Sequence, residues 1–312
     1  MVKSPVLLLV YNRLDTLRQV WAMLERVRPP VLFISGDGAK NTLADKERVS
    51  QVQKFLQSNV TWRCDVYYRF LPENAGCKVA VSSGITWFFS EVESGIILED
   101  DTLPHPSFFR FMDEMLERYA QDQRIGMVSG TQLAPGHPAL AEGWDFVRIP
   151  VIWGWGTWRR VWTKYEMHPT DWPRLRTLGF PANRMGTLSN YGKYLQHMVD
   201  KVFRGEVDTW DYQLAILLLR EGQLNVIPSQ NLVRNLGHGH PLSTNIRKLD
   251  WRSFLPLQAW RGGSGPLWVQ PNIPYEQDIF VSFSLLDKVK HKLRSYLYKY
   301  GILRFPPDDP LE

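Results

Sequence analysis

The sequence has little of what several protein classes require. Two cysteines, Cys64 and Cys77, among 312 residues are too few for a disulfide framework or for a zinc site built from cysteines. No window approaches the ~18 uninterrupted apolar residues of a membrane span. The first residues lack the apolar region of a signal peptide, and there is no internal repeat or low-complexity stretch. These absences predict a globular, cytoplasmic protein.

The chain also lacks an overall bias of charge, because its net charge of +5 comes from one region. Residues 247–304 hold ten Lys and Arg against four Asp and Glu. The remainder is close to balance, so a nucleic-acid footprint over the whole protein is excluded and no nucleic-acid partner is expected. Within the basic region, the apolar and basic positions of residues 284–300 predict an amphipathic helix. That helix either docks on the core or lies on an anionic membrane surface, and both alternatives stay open.

What the chain does have is a regular alternation over its first 130 residues. Short apolar runs at residues 5–11, 31–35 and 65–70, and again before Glu99, are separated by segments with apolar residues at helical spacing. Alternation of this kind predicts an α/β fold with a mostly parallel, twisted sheet flanked by helices. In such sheets ligands bind at the carboxyl ends of the strands.

Three consecutive carboxylates, Glu99, Asp100 and Asp101, stand at the end of one of these predicted strands. Clustered negative charge is costly after a buried strand, and a divalent cation would remove most of that cost. Oxygen ligands favour magnesium or manganese. Extended geometry places Glu99 and Asp101 on one side and Asp100 on the other, so the segment can serve two ligands. The alternative is a solvated loop that caps the following helix.

Tryptophan is abundant from Trp144 onward, where ten of the 13 tryptophans lie. In the segment Trp153-Gly154-Trp155-Gly156, the glycines would let the backbone approach a ligand while the rings provide flat walls. Aromatic faces stack on sugar rings, which suits a carbohydrate site. The same composition is also typical of an aromatic core in which glycine permits tight packing.

Five short motifs follow one another in an order that resembles a known family. They are Val10-Tyr11-Asn12-Arg13, Ser35-Gly36-Asp37, Leu98-Glu99-Asp100-Asp101 with the later pair Phe108-Phe109, Trp210-Asp211, and Gly237-His238-Gly239. In this order they resemble the GT-A glycosyltransferases. The resemblance is to the inverting N-acetylglucosaminyltransferase I family and related bacterial sugar transferases, and it extends over residues 5–239. The third motif is similar to that family's variant of the Asp-x-Asp motif.

The resemblance implies a role for each matching residue. Donor-binding residues would be Asn12, Arg13, Asp37, Lys78, Glu99 and Asp100. Asp101 would be the ligand of a manganese (or magnesium) ion, with Asp100 nearby, and His238 would either complete that set or close over the donor. Asp211 would be the base that deprotonates the acceptor hydroxyl. The chain departs from the family in the segment 153–158 and on the acceptor side, and there the aromatic rings of Trp153, Trp155 and Trp210 are expected to contact the acceptor.

The resemblance also implies a GT-A domain over residues 1–245, with a nucleotide-sugar-binding half (1–130) and an acceptor and catalytic-base half (131–245). Residues 246–312 would form a basic C-terminal helical extension. The implied activity is inverting, metal-dependent transfer of a sugar from a UDP-sugar such as UDP-GlcNAc to a glycan or lipid-linked acceptor. Such transfer serves bacterial surface polysaccharide or glycoconjugate synthesis, in the cytoplasm or peripherally at the inner face of the membrane.

Two other functions stay open on the sequence. One is a non-catalytic carbohydrate- or nucleotide-binding protein with the same fold, which would tolerate loss of the acids that are present here. The other is a nucleotidyltransferase that makes nucleotide sugars. Such an enzyme normally carries a glycine-rich basic loop after its first strand, where this chain has Tyr11-Asn12-Arg13-Leu14-Asp15.

Overall fold

The computed structural model describes residues 2–242, 251–280, 293, 295–304 and 307–311, and it shows an α/β fold. The strands are β1 (Val6–Val10), β2 (Val31–Gly36), β3 (Asp65–Phe70), β4 (Ser94–Glu99), β5 (Thr102–Pro104), β6 (Ile125–Ser129), β7 (Trp144–Val147), β8 (Trp155–Trp158), β9 (Leu224–Pro228) and β10 (Val233–Asn235). The helices are α1 (Leu14–Val27), α2 (Leu43–Ser58), α3 (Gly76–Glu91), α4 (Pro106–Arg118), α5 (Arg159–Trp162), α6 (Trp172–Thr177), α7 (Ser189–Phe203), α8 (Asp211–Arg220) and α9 (Ile273–Phe280).

The main sheet has eight strands in the order β3-β2-β1-β4-β8-β6-β9-β7. Strands β3, β2, β1 and β4 are mutually parallel, and β6 pairs with β9 in parallel. Strand β8 runs antiparallel between β4 and β6, and β7 is antiparallel at the edge. The predicted mostly parallel sheet flanked by helices is therefore confirmed. A second, two-stranded sheet pairs β5 with β10 in antiparallel fashion.

The helices follow the apolar spacing that predicted them. In α1 the residues Leu17, Val20, Trp21 and Leu24 recur at intervals of three and four and are all buried against the sheet. Helix α4 begins with Pro106 in its first turn, where proline costs no hydrogen bond, and His105 Nδ1 accepts the backbone N–H of Ser107 as a cap. Its buried face continues the same core.

The segment around Trp155 corrects the sequence-based interpretation of its glycines. This segment is a strand, β8, inserted between β4 and β6, rather than a loop open to a ligand. A Cβ on Gly156 would lie 3.1 Å from the Gly95 carbonyl oxygen of the neighbouring strand. The glycine therefore serves close packing within the sheet, which was the alternative considered for it.

Parts of the predicted C-terminal extension pack on the sheet domain. Trp260 is buried, and its ring lies 5.2 Å from that of Phe111 on α4. The Arg110 guanidinium on α4 donates to the Trp260 carbonyl at 2.6 Å. Of the predicted amphipathic helix 284–300, residues 284–292 and 294 lie outside the described residues. In the described part of the chain, no helix is long and apolar enough to cross a membrane.

Candidate functional site

Parallel strands bring the predicted site residues to one edge of the sheet. Strands β1, β2 and β4 run in the same direction, so the residues that follow them meet at their carboxyl ends. Asn12 and Arg13 follow β1, Asp37 follows β2, and Asp100 and Asp101 follow β4. The Asp100 backbone N–H donates to the Leu9 carbonyl at 3.0 Å, which continues the pairing of β4 with β1 beyond the strand.

Arg13 joins the two aspartates that follow β4. Its Nη2 lies 2.5 Å from Asp100 Oδ1, and its Nη1 lies 2.6 Å from Asp101 Oδ2. The second oxygen of Asp100 accepts the backbone N–H of Tyr11 at 3.1 Å. The guanidinium group therefore forks across two neighbouring carboxylates, an arrangement that suits its planar set of donors.

The strand β10 brings a later part of the chain over this fork. Its antiparallel pairing with β5 leads the Leu236 backbone N–H to the Asp101 carbonyl, at 2.7 Å. The next residue, Gly237, approaches so closely that an added Cβ would lie 2.1 Å from Asp101 Oδ2. Only glycine leaves room for this contact, because any larger residue at position 237 would clash with the Asp101 carboxylate.

Glu99 lies beside the fork, and burial alters the protonation of its carboxyl. Burial raises the pKa of Glu99 to about 8, and the neighbouring charge of Asp101 contributes to the rise while Arg13 opposes it. Burial also raises the pKa of Asp100, again against the effect of Arg13. The protonated form of Glu99 is consequently favoured at neutral pH.

Asp37 lies at the beginning of α3, together with Asp208 from a distant part of the chain. Asp37 accepts backbone N–H groups from Gly38 and Ala75 at 2.8 Å and a longer one from Gly76, as well as the Asn74 side-chain amide. Asp208 accepts the backbone N–H groups of the next two residues of α3, Cys77 and Lys78, at 2.7 and 3.2 Å. Both carboxylates stabilise the positive end of the helix.

Like Arg13 and Asp100, the predicted donor residues Asn12 and Asp37 have protein partners in this arrangement. The Asn12 amide nitrogen donates to Asp45 Oδ1 at 2.5 Å, and the Tyr11 hydroxyl donates to Asp45 Oδ2 at 2.6 Å. Asp37 makes the helix-capping contacts described above. The role of Asp45 was not predictable from the motifs, because this acid lies in the first turn of α2 and in none of the five motifs.

Asp211 begins α8 and lies in the same region as the acidic end of β4. Its Oδ1 accepts the Thr209 hydroxyl at 2.5 Å, and burial raises its pKa. Burial also raises the pKa of the nearby Cys77 thiol, and four acids contribute to that rise. These acids are Asp37, Glu99, Asp208 and Asp211. Residues more than a hundred positions apart in the chain are thus brought within electrostatic range of one another.

Aromatic residues that the motifs did not predict surround Asp211. The hydroxyls of Tyr194 on α7 and Tyr212 on α8 lie 2.9 Å apart, and the rings of Tyr191 and Tyr194 lie 5.9 Å apart. The charge of Asp211 contributes to a raised pKa at both Tyr191 and Tyr212, after burial. These tyrosines lie on two helices that are apart in the sequence, so only the fold brings Tyr191 and Tyr194 near Asp211.

The three predicted acceptor tryptophans separate into two groups. Trp155 and Trp210 are 1% and 2% exposed and stack on each other with ring centroids 5.6 Å apart. Because this burial leaves no ring face for a sugar, the structure corrects the acceptor interpretation at these two positions. Trp153 is partly exposed, and its ring lies 5.0 Å from that of His238.

A divalent cation at the acidic end of β4 would need free side-chain oxygens on Asp100 and Asp101. Of the four side-chain oxygens of Asp100 and Asp101, three already accept hydrogen bonds, two from Arg13 and one from Tyr11. Among the described residues, no three His, Cys, Asp or Glu side chains converge to hold a metal ion, so Asp100, Asp101 and His238 do not form the predicted set. The residues present therefore do not fit a resident metal ion, because Arg13 already supplies the positive charge.

Comparison with known proteins gives a distant likeness in structure. No protein-family model and no curated protein match the chain. The structure is similar to HddC from Yersinia pseudotuberculosis with a TM-score of 0.35 and 12% sequence identity, over 54% of this chain and 81% of that chain. HddC complexed with GMP-PN gives a TM-score of 0.33 and 11% identity over the same shares.

A third similar structure is UDP-glucose pyrophosphorylase complexed with UDP-glucose. It has a TM-score of 0.35 and 10% identity, over 73% of this chain and 90% of that chain. At these identities the likeness concerns the α/β fold alone.

Proposed function

We propose that this protein is a glycosyltransferase that moves a sugar from a nucleotide diphosphate to a hydroxyl group with inversion at the anomeric carbon. The observation that carries the proposal is the gathering of Glu99 and Asp211 at one end of the sheet. The charge of Asp211 contributes to the raised pKa of Glu99 although the two residues belong to different halves of the chain. A site with an acidic side chain on each side suits a donor and an acceptor bound next to each other.

Asp211 has the properties that a general base for this reaction needs. The residue as a whole is partly exposed, while burial of its carboxyl raises its pKa and makes it a better proton acceptor than an ordinary aspartate. In the proposed step, Asp211 takes the proton of the acceptor hydroxyl as that oxygen attacks the anomeric carbon. The bond from the anomeric carbon to the diphosphate breaks, and the diphosphate leaves with the electron pair.

The acceptor would bind where aromatic side chains adjoin Asp211. Trp153 and the tyrosines of α7 and α8 are partly exposed, and aromatic faces suit the apolar faces of sugar rings. We propose a glycan or lipid-linked sugar as the acceptor and a uridine diphosphate sugar such as UDP-GlcNAc as the donor, with Lys78 in the first turn of α3 as one donor contact. Bacterial surface polysaccharide or glycoconjugate synthesis is the proposed setting.

The proposal is tested first by binding and then by the stereochemistry of the product. Thermal stability is measured against a panel of nucleotides and nucleotide sugars, because a ligand that binds the folded protein raises its melting temperature. The donor found in this way is incubated with candidate acceptors, and NMR gives the anomeric configuration of the product. A product that keeps the donor's configuration would contradict the base role of Asp211.

Two other outcomes would replace the proposed activity. Release of pyrophosphate from a nucleoside triphosphate and a sugar phosphate would identify a nucleotidyltransferase. Binding of a sugar or nucleotide without any turnover would favour the non-catalytic binding protein. As a matched control, Asp122→Asn neutralises a partly exposed acid that precedes β6, at the amino end of a strand, and it should leave binding and turnover unchanged.

A further inference from the structure

The most buried charge network at the site is the fork of Arg13 between two acids. The side chains of Arg13, Asp100 and Asp101 are 14%, 2% and 11% exposed. The two contacts, at 2.5 and 2.6 Å, use both terminal nitrogens of the guanidinium. Charge-assisted bonds of this length and low exposure are strong, since little water screens them.

The surroundings of the fork keep it in place from three sides. Arg13 immediately precedes α1, so its backbone is fixed by the helix that begins at the next residue. The Tyr11 backbone N–H holds the second oxygen of Asp100. On the opposite side, Gly237 lies against Asp101, because a Cβ there would lie 2.1 Å from the oxygen that Arg13 contacts and 3.1 Å from Arg13 Nη1.

These contacts occupy three of the four carboxylate oxygens that a divalent cation at Asp100 and Asp101 could use. A cation at Asp101 would lie within a few ångströms of the guanidinium charge, and like charges at that distance repel strongly at low exposure. Releasing Arg13 instead would leave a buried guanidinium without its partners, which is also costly. The unliganded site is therefore closed to metal both by geometry and by charge.

We propose that Arg13 is the resident cation of the acidic end of β4, and that the unliganded protein takes up no divalent cation at Asp100 and Asp101. This role differs from the direct nucleotide contact that the sequence resemblance implied for Arg13. The inference concerns the protein without its substrates, so it stands or falls separately from the proposed sugar transfer.

The experiment is a titration of Mn²⁺ alone into the intact protein, followed by calorimetry and by the EPR signal of unbound Mn²⁺. We expect no saturable binding to the wild-type protein up to millimolar concentration. Arg13→Gln should bind Mn²⁺ at least about tenfold more tightly than wild type, because Asp100 and Asp101 then lack their counter-charge. The double variant R13Q/D101N should lose that gain.

Arg220 provides a matched control. Its Nη1 contacts two acids, Glu166 at 3.4 Å and Asp171 at 3.2 Å, away from the candidate site. R220Q should leave Mn²⁺ binding at the wild-type level, so a gain in R13Q alone identifies the acidic end of β4 and not a general effect of removing an arginine.

Two results would overturn the inference. Saturable binding of Mn²⁺ to the wild-type protein that disappears in D101N would show that Arg13 does not keep the cation out, and this test needs no Arg13 variant. A folded R13Q, judged by its circular dichroism, that binds Mn²⁺ no better than R220Q would show that the arginine is not what compensates the acids.

Discussion

The acidic end of β4 and the carboxylate of Asp211 lie in the same site but hold their charge in different ways. Asp100 and Asp101 share the guanidinium of Arg13, whose contacts are nearly removed from water. Asp211 accepts a hydrogen bond from the Thr209 hydroxyl and has the tyrosines of α7 and α8 in its neighbourhood. One group of acids is compensated by a cation, while the other is surrounded mainly by aromatic and neutral polar groups.

This difference in charge compensation indicates different roles for Asp100 and Asp101 on one side and Asp211 on the other. An acid that is forked by arginine is fixed in position, and at Asp100 the charge of Arg13 opposes the rise in pKa that burial causes. At Asp211 burial also raises the pKa, but only hydrogen bonds and no cation oppose that rise. We infer that the acidic end of β4 organises the site, whereas Asp211 suits proton transfer.

The largest expected effect comes from removing the proton acceptor. Asp211→Asn should lower kcat for the proposed transfer by about 10³-fold, since general base catalysis contributes on this scale, while donor binding stays unchanged. Steady-state kinetics and the thermal shift with donor measure the two effects. Retention of kcat within about tenfold would remove Asp211 from the reaction.

The pH dependence of the same reaction tests whether the pKa of Asp211 is raised. Because Asp211 acts as a base only when it is deprotonated, activity should rise with pH through its pKa. Burial raises that pKa above the ordinary value of 3.8, so the acid limb of kcat/KM should lie above 3.8. An acid limb below that value would show that burial does not control this carboxylate.

The next largest effect concerns the compensated acids. Arg13→Ala should lower the free energy of unfolding by about 3 kcal/mol, because it leaves two acids of low exposure without their counter-ion. Urea unfolding measures the loss. Arg220→Ala, which breaks the more exposed contacts with Glu166 and Asp171, should cost about 1 kcal/mol or less. Equal losses in the two variants would show that the Arg13 fork contributes no more than a surface pair.

A smaller effect should follow from neutralising Glu99. Its pKa is raised from 4.5 to about 8 in the folded protein, so the stability linked to its protonated form is complete below pH 4.5 and is lost as the pH rises towards 8. Glu99→Gln should flatten this dependence and be more stable than wild type by about 2 kcal/mol at high pH. Parallel stability curves for the two proteins between these pH values would contradict the raised pKa.

The smallest effect tests the aromatic surroundings of Asp211. Tyr212→Phe removes the hydroxyl contact with Tyr194 and should cost about 1 kcal/mol of stability, with little change in kcat because the ring remains. Tyr67→Phe, on an exposed tyrosine, serves as the control and should cost less. A large fall in kcat for Tyr212→Phe would assign the hydroxyl, and not only the ring, to the reaction.

Much of the fold was predictable from local pattern. The apolar runs predicted β1, β2, β3 and β4 within one or two residues, and the spacing in α1 and α4 identified the faces that are buried. Local sequence suffices here because strand and helix periods depend on neighbouring residues alone. It also indicated that the residues after β1, β2 and β4 would meet, since the carboxyl ends of parallel strands share an edge.

The partners of each site residue were not predictable in the same way. The pairing of Arg13 with Asp100 and Asp101 joins positions almost ninety residues apart, and the capping of α3 by Asp208 crosses 131 residues. Trp155 and Trp210 were expected to contact the acceptor, but their rings stack on each other in the core. A residue type states which contacts it can make, whereas the fold determines which of them it makes.

The sequence by itself determined the α/β architecture and the group of acids at the end of β4, because periodicity and residue chemistry are local properties. Only the tertiary structure decided how those acids are neutralised. It did so by placing a guanidinium from the end of β1, and the backbone beyond β10, against carboxylates that the sequence alone would have assigned to a metal ion. Electrostatic compensation depends on distances through space, and those distances exist only in the folded chain.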